Sequence, residues 1–132
     1  MNNNLIFIPV NIAKVYCALI VIYISKNEIC YYDSLVGRNG CRTQTLKLMV
    51  TLEYLKMEAA AKEKVFSTNE WKLIETDIEK VPQQTNTYDC GMFTIYCADY
   101  ISDDLPLLYN QSEMSENRLN VFAAILRGHL NY

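Results

Sequence analysis

Two nearly continuous apolar runs open the chain, LIFIPVNI at 5–12 and VYCALIVIYI at 15–24. Dense in Ile and Val, they predict strands covered on both faces and central in a sheet. The polar turn SKNE leads into EICYYDSL at 28–35, rich in aromatics, which predicts a third strand antiparallel to the second through a short hairpin. VGRNG, with two glycines, predicts a break in the structure.

From Thr43 to about Lys64 the period changes. Leu48, Leu52 and Leu55 fall at i, i+4 and i+7, with Glu58, Lys62 and Lys64 on the polar remainder, so a helix of about five turns is expected. WKLIETDIEKV at 71–81 alternates as a further strand that Pro82 ends, and QQTNT follows as a loop. Asp89 is placed to cap a helix whose apolar stripe is Phe93, Cys97, Tyr100 and Ile101. Beyond Pro106 a last helix begins near Ser112 or Ser115, with Leu119, Phe122, Ala123, Leu126 and Leu130 at helical spacing. The expected fold class is α+β, in a single domain spanning residues 1–132.

Composition adds boundaries rather than a function. The chain has 132 residues, and 51% hydrophobic against 20% charged is the balance of an ordinary globular domain, which argues against disorder. A formal charge of −3 without a Lys/Arg run gives no footing for nucleic acid. The longest apolar run has about half the length a membrane-spanning helix needs, so no membrane partner is expected. MNNNLIFIPV has neither a basic start nor a small-residue cleavage site, so an intracellular location is expected, with nucleus and cytoplasm undistinguished. Five scattered cysteines without a CxxC pair imply free thiols, no zinc site and no cofactor.

The candidate chemistry lies in VPQQTNTYDCGMF at 81–93. A thiolate in the first turn of a helix is favoured by the unsatisfied N–H groups there, and Cys90 is placed for that. The same N–H groups can hold an oxyanion, with the side-chain amide of Gln84 as a second donor from the preceding loop. Gly91 has no side chain to obstruct an incoming substrate. Taken alone, a cysteine on an apolar helix is more often a small buried hydrophobe, as expected for Cys97. The tyrosines, Tyr31 and Tyr32 among them, are read as strand and core residues, and Asp103 and Asp104 as a solvated turn.

PQQTNTYDCGMF resembles the nucleophile motif of the SUMO-specific cysteine proteases, which process SUMO precursors and remove SUMO from conjugates. IFIPVNI resembles the family strand leading toward the catalytic histidine, and ICYYDSL the strand ending in its catalytic aspartate. LEYLKMEAAAKEK followed by Trp71, and the tail YNQSEMSENR with its Gln, Met and Arg, resemble the family in the same order. The resemblance implies a cysteine-protease-like fold, a small central mixed sheet flanked by helices with the nucleophile at a helix N-terminus. It implies Cys90 as nucleophile, Gln84 in the oxyanion hole, Asp33 as the aspartate that orients the histidine, and SUMO or a related modifier and its conjugates as partner.

The base is where this chain departs. Keeping the family phase at Leu19, Val21 and Ile22 puts Tyr16 at the histidine and Cys17 at the tryptophan that follows it; counting from Pro9 allows Val15 and Tyr16. A phenol, with a pKa near 10, is a poor general base at neutral pH. The only histidine, His129, sits at the far end of the chain and is read as a surface or packing residue. Family domains also carry a further segment ahead of IFIPVNI, so a truncated chain with exposed apolar surface is expected. The function implied is a thiol peptidase of the SUMO-deconjugating class with impaired turnover. The alternatives are a pseudoprotease that binds a SUMO-like modifier without cleaving it, and a fragment that does neither.

Overall fold

The computed structural model describes residues 4–12, 16–39 and 41–128. The first three strands form as the apolar runs imply: β1 Leu5–Ile12, β2 Tyr16–Tyr23 and β3 Glu28–Tyr32, paired antiparallel in succession. The hairpin between β2 and β3 turns through a 3₁₀ turn, Ile24–Lys26, and Asn27 at φ 53°. Asn tolerates that left-handed geometry better than branched residues do.

Only β2 is central in the sense expected. Sheet order is β1-β2-β3-β4, which leaves β1 on an edge and half exposed. β2 is buried on both faces, because alternate residues serve two separate clusters. Leu19 and Val21 join Met92, Phe93, Tyr96 and Cys97, while Ala18, Ile20 and Ile22 join Ile29, Tyr31 and Leu48. Burial on both sides is why the β2 run reads as continuously apolar rather than alternating.

VGRNG does not simply interrupt the chain: Val36–Asn39 forms a short helix, α1, which leads into α2, Cys41–Ala61. α2 begins two residues before the Thr43 that periodicity implies, and ends before Lys62 and Lys64. Its expected stripe holds, with Leu48 buried and Leu52 and Leu55 packed against the β2–β3 cluster. The opposite side leaves Leu46, Val50, Tyr54 and Met57 exposed.

The strand expected over 71–81 is only β4, Lys72–Ile74, parallel to β3. Thr76 ends it by spending its groups elsewhere. Its N–H goes to Gln44 Oε1 of α2 at 2.7 Å and its hydroxyl to the Tyr31 carbonyl at 2.9 Å, so the ladder cannot continue. Asp77 then closes a turn, its carbonyl accepting from the N–H groups of Lys80 and Val81.

α3, Cys90–Ser102, forms with the expected stripe: Phe93 and Cys97 are buried and Tyr100 and Ile101 half buried against β2. Asp103 and Asp104 are exposed beyond its end, as expected. Burial pushes the Cys97 thiol up to about 12, against a hydrogen bond with Tyr109 that lowers it, so Cys97 is an inert core thiol. α4, Met114–Arg127, begins after a 3₁₀ turn at Gln111–Glu113. Its expected apolar stripe is not a core stripe. Leu119, Phe122 and Leu126 are 69%, 61% and 71% exposed, and α4 is anchored instead by Met114 and Ala124. Periodicity identifies a helix but not which of its sides has a partner. Leu130 lies outside the described residues.

Candidate active site

Cys90 is the first residue of α3, and its Sγ accepts a hydrogen bond from the Cys17 backbone N–H at 3.2 Å. The start of β2 is thus brought against the thiol across 73 positions of sequence. Leu19 and Val21 of β2 pack on Met92 and Phe93, and this packing sets that approach. A Cβ placed on Gly91 would meet nothing within 4 Å, so the space beside Cys90 is open.

Asp33 follows β3 and is fully buried. The register that pairs Leu19 with Tyr32 sets Asp33, one residue on, beside Ala18, with position 16 two residues away on the same face. Val15, the other position considered for a base, and His129 lie outside the described residues. The Asp33 carboxylate accepts from the Leu35 N–H at 2.9 Å, its N–H donates to Thr76 Oγ1 at 3.1 Å, and its carbonyl accepts from Gln83 Nε2 at 2.8 Å. The glutamine pair is therefore stitched to the strand end: Gln84 N–H also bonds the Ser34 carbonyl at 2.8 Å.

The Ser34 hydroxyl donates to Gln84 Oε1, which fixes the other end of the amide as the donor. Gln84 Nε2 gives one bond to the Asn86 carbonyl at 2.7 Å. Asn86 then organises the loop, its Oδ1 accepting from the N–H groups of Tyr88 and Asp89 and its Nδ2 donating to Asp89 Oδ2 at 2.7 Å. A run of hydrogen bonds leads from the residue after Asp33 to the residue before Cys90.

Asp89 does not cap α3 with its side chain, contrary to the expectation from sequence. The carboxylate turns the other way. It is buried and accepts from Asn86, from Gln111 Nε2 at 2.7 Å, and from Arg118 Nε at 2.9 Å and Nη2 at 2.5 Å. Arg118 Nη2 also bonds the Tyr88 carbonyl at 2.9 Å. Burial alone would raise the Asp89 pKa, but the hydrogen bonds from Asn86, Arg118 and Gln111, with the Arg118 charge, hold it below the usual carboxylate range. The resemblance of the tail marks Gln111 and Arg118 without a role, and their contacts with Asp89 supply one.

Tyr16 does not meet the thiol in the way its neighbour does. Its side chain packs against the cluster that holds Ala18, Ile20 and Tyr31, while Cys17 supplies the contact to Cys90. One phase of the resemblance sets Cys17 at the family's tryptophan, and no local pattern marks its contact with Cys90.

The model of the Ulp1 protease family, C-terminal catalytic domain, matches residues 1–128. The chain belongs to this family. Among curated relatives, sentrin-specific protease 2 of Homo sapiens is 35% identical over 128 residues, 96% of this chain and 21% of that protein. Ubiquitin-like-specific protease ESD4 of Arabidopsis thaliana is 34% identical over 125 residues, 94% of this chain and 24% of that one. The chain thus spans between a fifth and a quarter of these Ulp1-family relatives. Among solved structures, the C-terminal Ulp1 protease domain in complex with Smt3, the yeast ortholog of SUMO, superposes with a TM-score of 0.81 at 29% identity. That match covers 97% of this chain and 54% of the other. The mixed sheet flanked by helices is the Ulp1 protease fold. No helix among the described residues is long and apolar enough to cross a membrane.

Proposed function

We propose that the chain is part of the catalytic region of a thiol peptidase of the SUMO-deconjugating class, with Cys90 as nucleophile and with turnover impaired by the residue at the base position. The observation that carries this reading is the Cys90 thiol at the start of α3, facing the start of β2, where Ulp1-family members have their histidine. In this mechanism the sulfur attacks the carbonyl of the modifier's C-terminal glycine, the amine leaves, and water hydrolyses the thioester. Backbone N–H groups of the first turn of α3 and the Gln84 amide hold the oxyanion. The thiol proton has to reach the departing amine, and here no imidazole relays it among the described residues. Losing such a relay costs on the order of 10²–10⁴-fold.

The packing of Tyr16 against the apolar β2–β3 cluster favours a second reading, a pseudoprotease that holds a SUMO-like modifier without cleaving it. Hydrolysis of a fluorogenic amide on the C-terminus of SUMO separates the two. Release above that of Cys90→Ala supports the peptidase; saturable SUMO binding with release equal to that of Cys90→Ala supports the pseudoprotease.

A further inference from the structure

We propose that Cys17 and Cys90 are a redox-modification site, closing to an intramolecular disulfide when the protein meets a hydroperoxide. One backbone contact and one shared face join this pair. The Cys17 backbone N–H bonds Cys90 Sγ at 3.2 Å, and Cys17 alternates along β2 with Leu19 and Val21, the side that clusters with Met92 and Phe93 of α3. A backbone N–H this close to the partner sulfur brings the two main chains near the separation a disulfide spans, and rotation about the Cys17 and Cys90 side chains is the movement required to close it.

The remaining described thiols are differently engaged. Cys30 is buried, which pushes it up to about 11, and it hydrogen-bonds Tyr32; Cys97 is buried and hydrogen-bonds Tyr109. Cys90 is itself buried, and it is the half-buried Cys17 beside it that gives a small oxidant an approach to the pair. Burial, then the hydrogen bond and charge interaction with Cys90, raise the Cys17 pKa, which keeps Cys17 in its thiol form at neutral pH.

The chemistry balances in two steps. Cys90 Sγ takes the terminal oxygen of the hydroperoxide, becoming a sulfenic acid as the O–O bond breaks and an alcohol, or water from hydrogen peroxide, departs. The Cys17 sulfur then displaces hydroxide from Cys90, its own proton completing a water molecule as the S–S bond forms. Two thiols have lost two electrons and two protons, and the peroxide has accepted them. A dithiol reductant reverses the change. The disulfide would occupy the nucleophile and keep it from the irreversible sulfinic and sulfonic stages. This proposal concerns the thiols alone and holds whether or not Cys90 turns over a peptide bond.

The test is titration of the fully reduced chain with hydrogen peroxide, followed by alkylation, intact mass and tryptic mapping. The expected result is a loss of two hydrogens, a linked peptide pair containing Cys17 and Cys90, and recovery of both thiols with dithiothreitol. In Cys17→Ser, Cys90 is expected to accumulate sulfinic and sulfonic acid about tenfold faster than in the unaltered chain. A Cys90 that overoxidises equally fast in both proteins, or that links to a different cysteine, overturns the proposal. Because the linked peptide is read in the unaltered chain, a variant that failed to fold would leave the test intact.

Discussion

Arg118 in α4 grips the carboxylate of Asp89, the residue immediately before Cys90, through both Nε and Nη2. The pair ties the start of α3 to a helix 29 positions away, with Asp89 buried and Arg118 half exposed. Removing the arginine strands a buried carboxylate. Arg118→Ala is expected to cost about 1–3 kcal/mol, with Arg118→Lys between it and the unaltered chain because an ammonium cannot reproduce the two-pronged contact. Urea denaturation of the three proteins checks the order.

The same carboxylate sets an acid limit. A carboxyl whose folded pKa lies below its unfolded one contributes stability above the unfolded value and loses it as pH falls through the folded one. Asp89 is held low, so its clamp is complete at neutral pH and weakens progressively as pH falls below the ordinary carboxylate range. The thermal midpoint gap between the unaltered chain and Asp89→Asn is expected to shrink from about pH 6 to about pH 3. A gap that widened in acid would contradict the assignment.

Gln84 is oriented by the Ser34 hydroxyl and bonded to Asn86, an arrangement suited to presenting an amide donor. Gln84→Ala is expected to slow capture of a SUMO-derived electrophile by about 10²-fold. Circular dichroism of the variant separates that loss from unfolding.

Restoring the base should restore proton transfer. Position 16 shares a face with Ala18, beside which the register sets Asp33, so Tyr16→His brings an imidazole to the side where the aspartate lies. Turnover of a SUMO amide is expected to rise by about 10²-fold, while Val15→His leaves it unchanged. Initial rates with the fluorogenic substrate decide between them.

What could be read from the residues was what is local. The β2 run, the hairpin into β3, and the stripes Leu48–Leu52–Leu55 and Phe93–Cys97 all declare themselves by period, because each packs against one or two broad apolar faces. β4 is three residues long, and its end depends on Thr76 bonding α2 and β3, which no local pattern announces. α4 shows a stripe whose residues Leu119, Phe122 and Leu126 face outward, since period carries no information about partners. In the site, Cys90 and the Gln84 loop were legible as one short motif. The clamp on Asp89 and the contact from Cys17 were not, because they join residues 22 to 73 positions apart.

The central claim is that Cys90 is the nucleophile of a SUMO-type protease site. Its most direct measurement is intact mass after incubation of the reduced chain with SUMO carrying a C-terminal electrophile. A single covalent adduct mapping to Cys90, absent from Cys90→Ala and undiminished in Cys97→Ser, is the expected result. No adduct on the reduced, folded chain, or one that persists in Cys90→Ala, would contradict it.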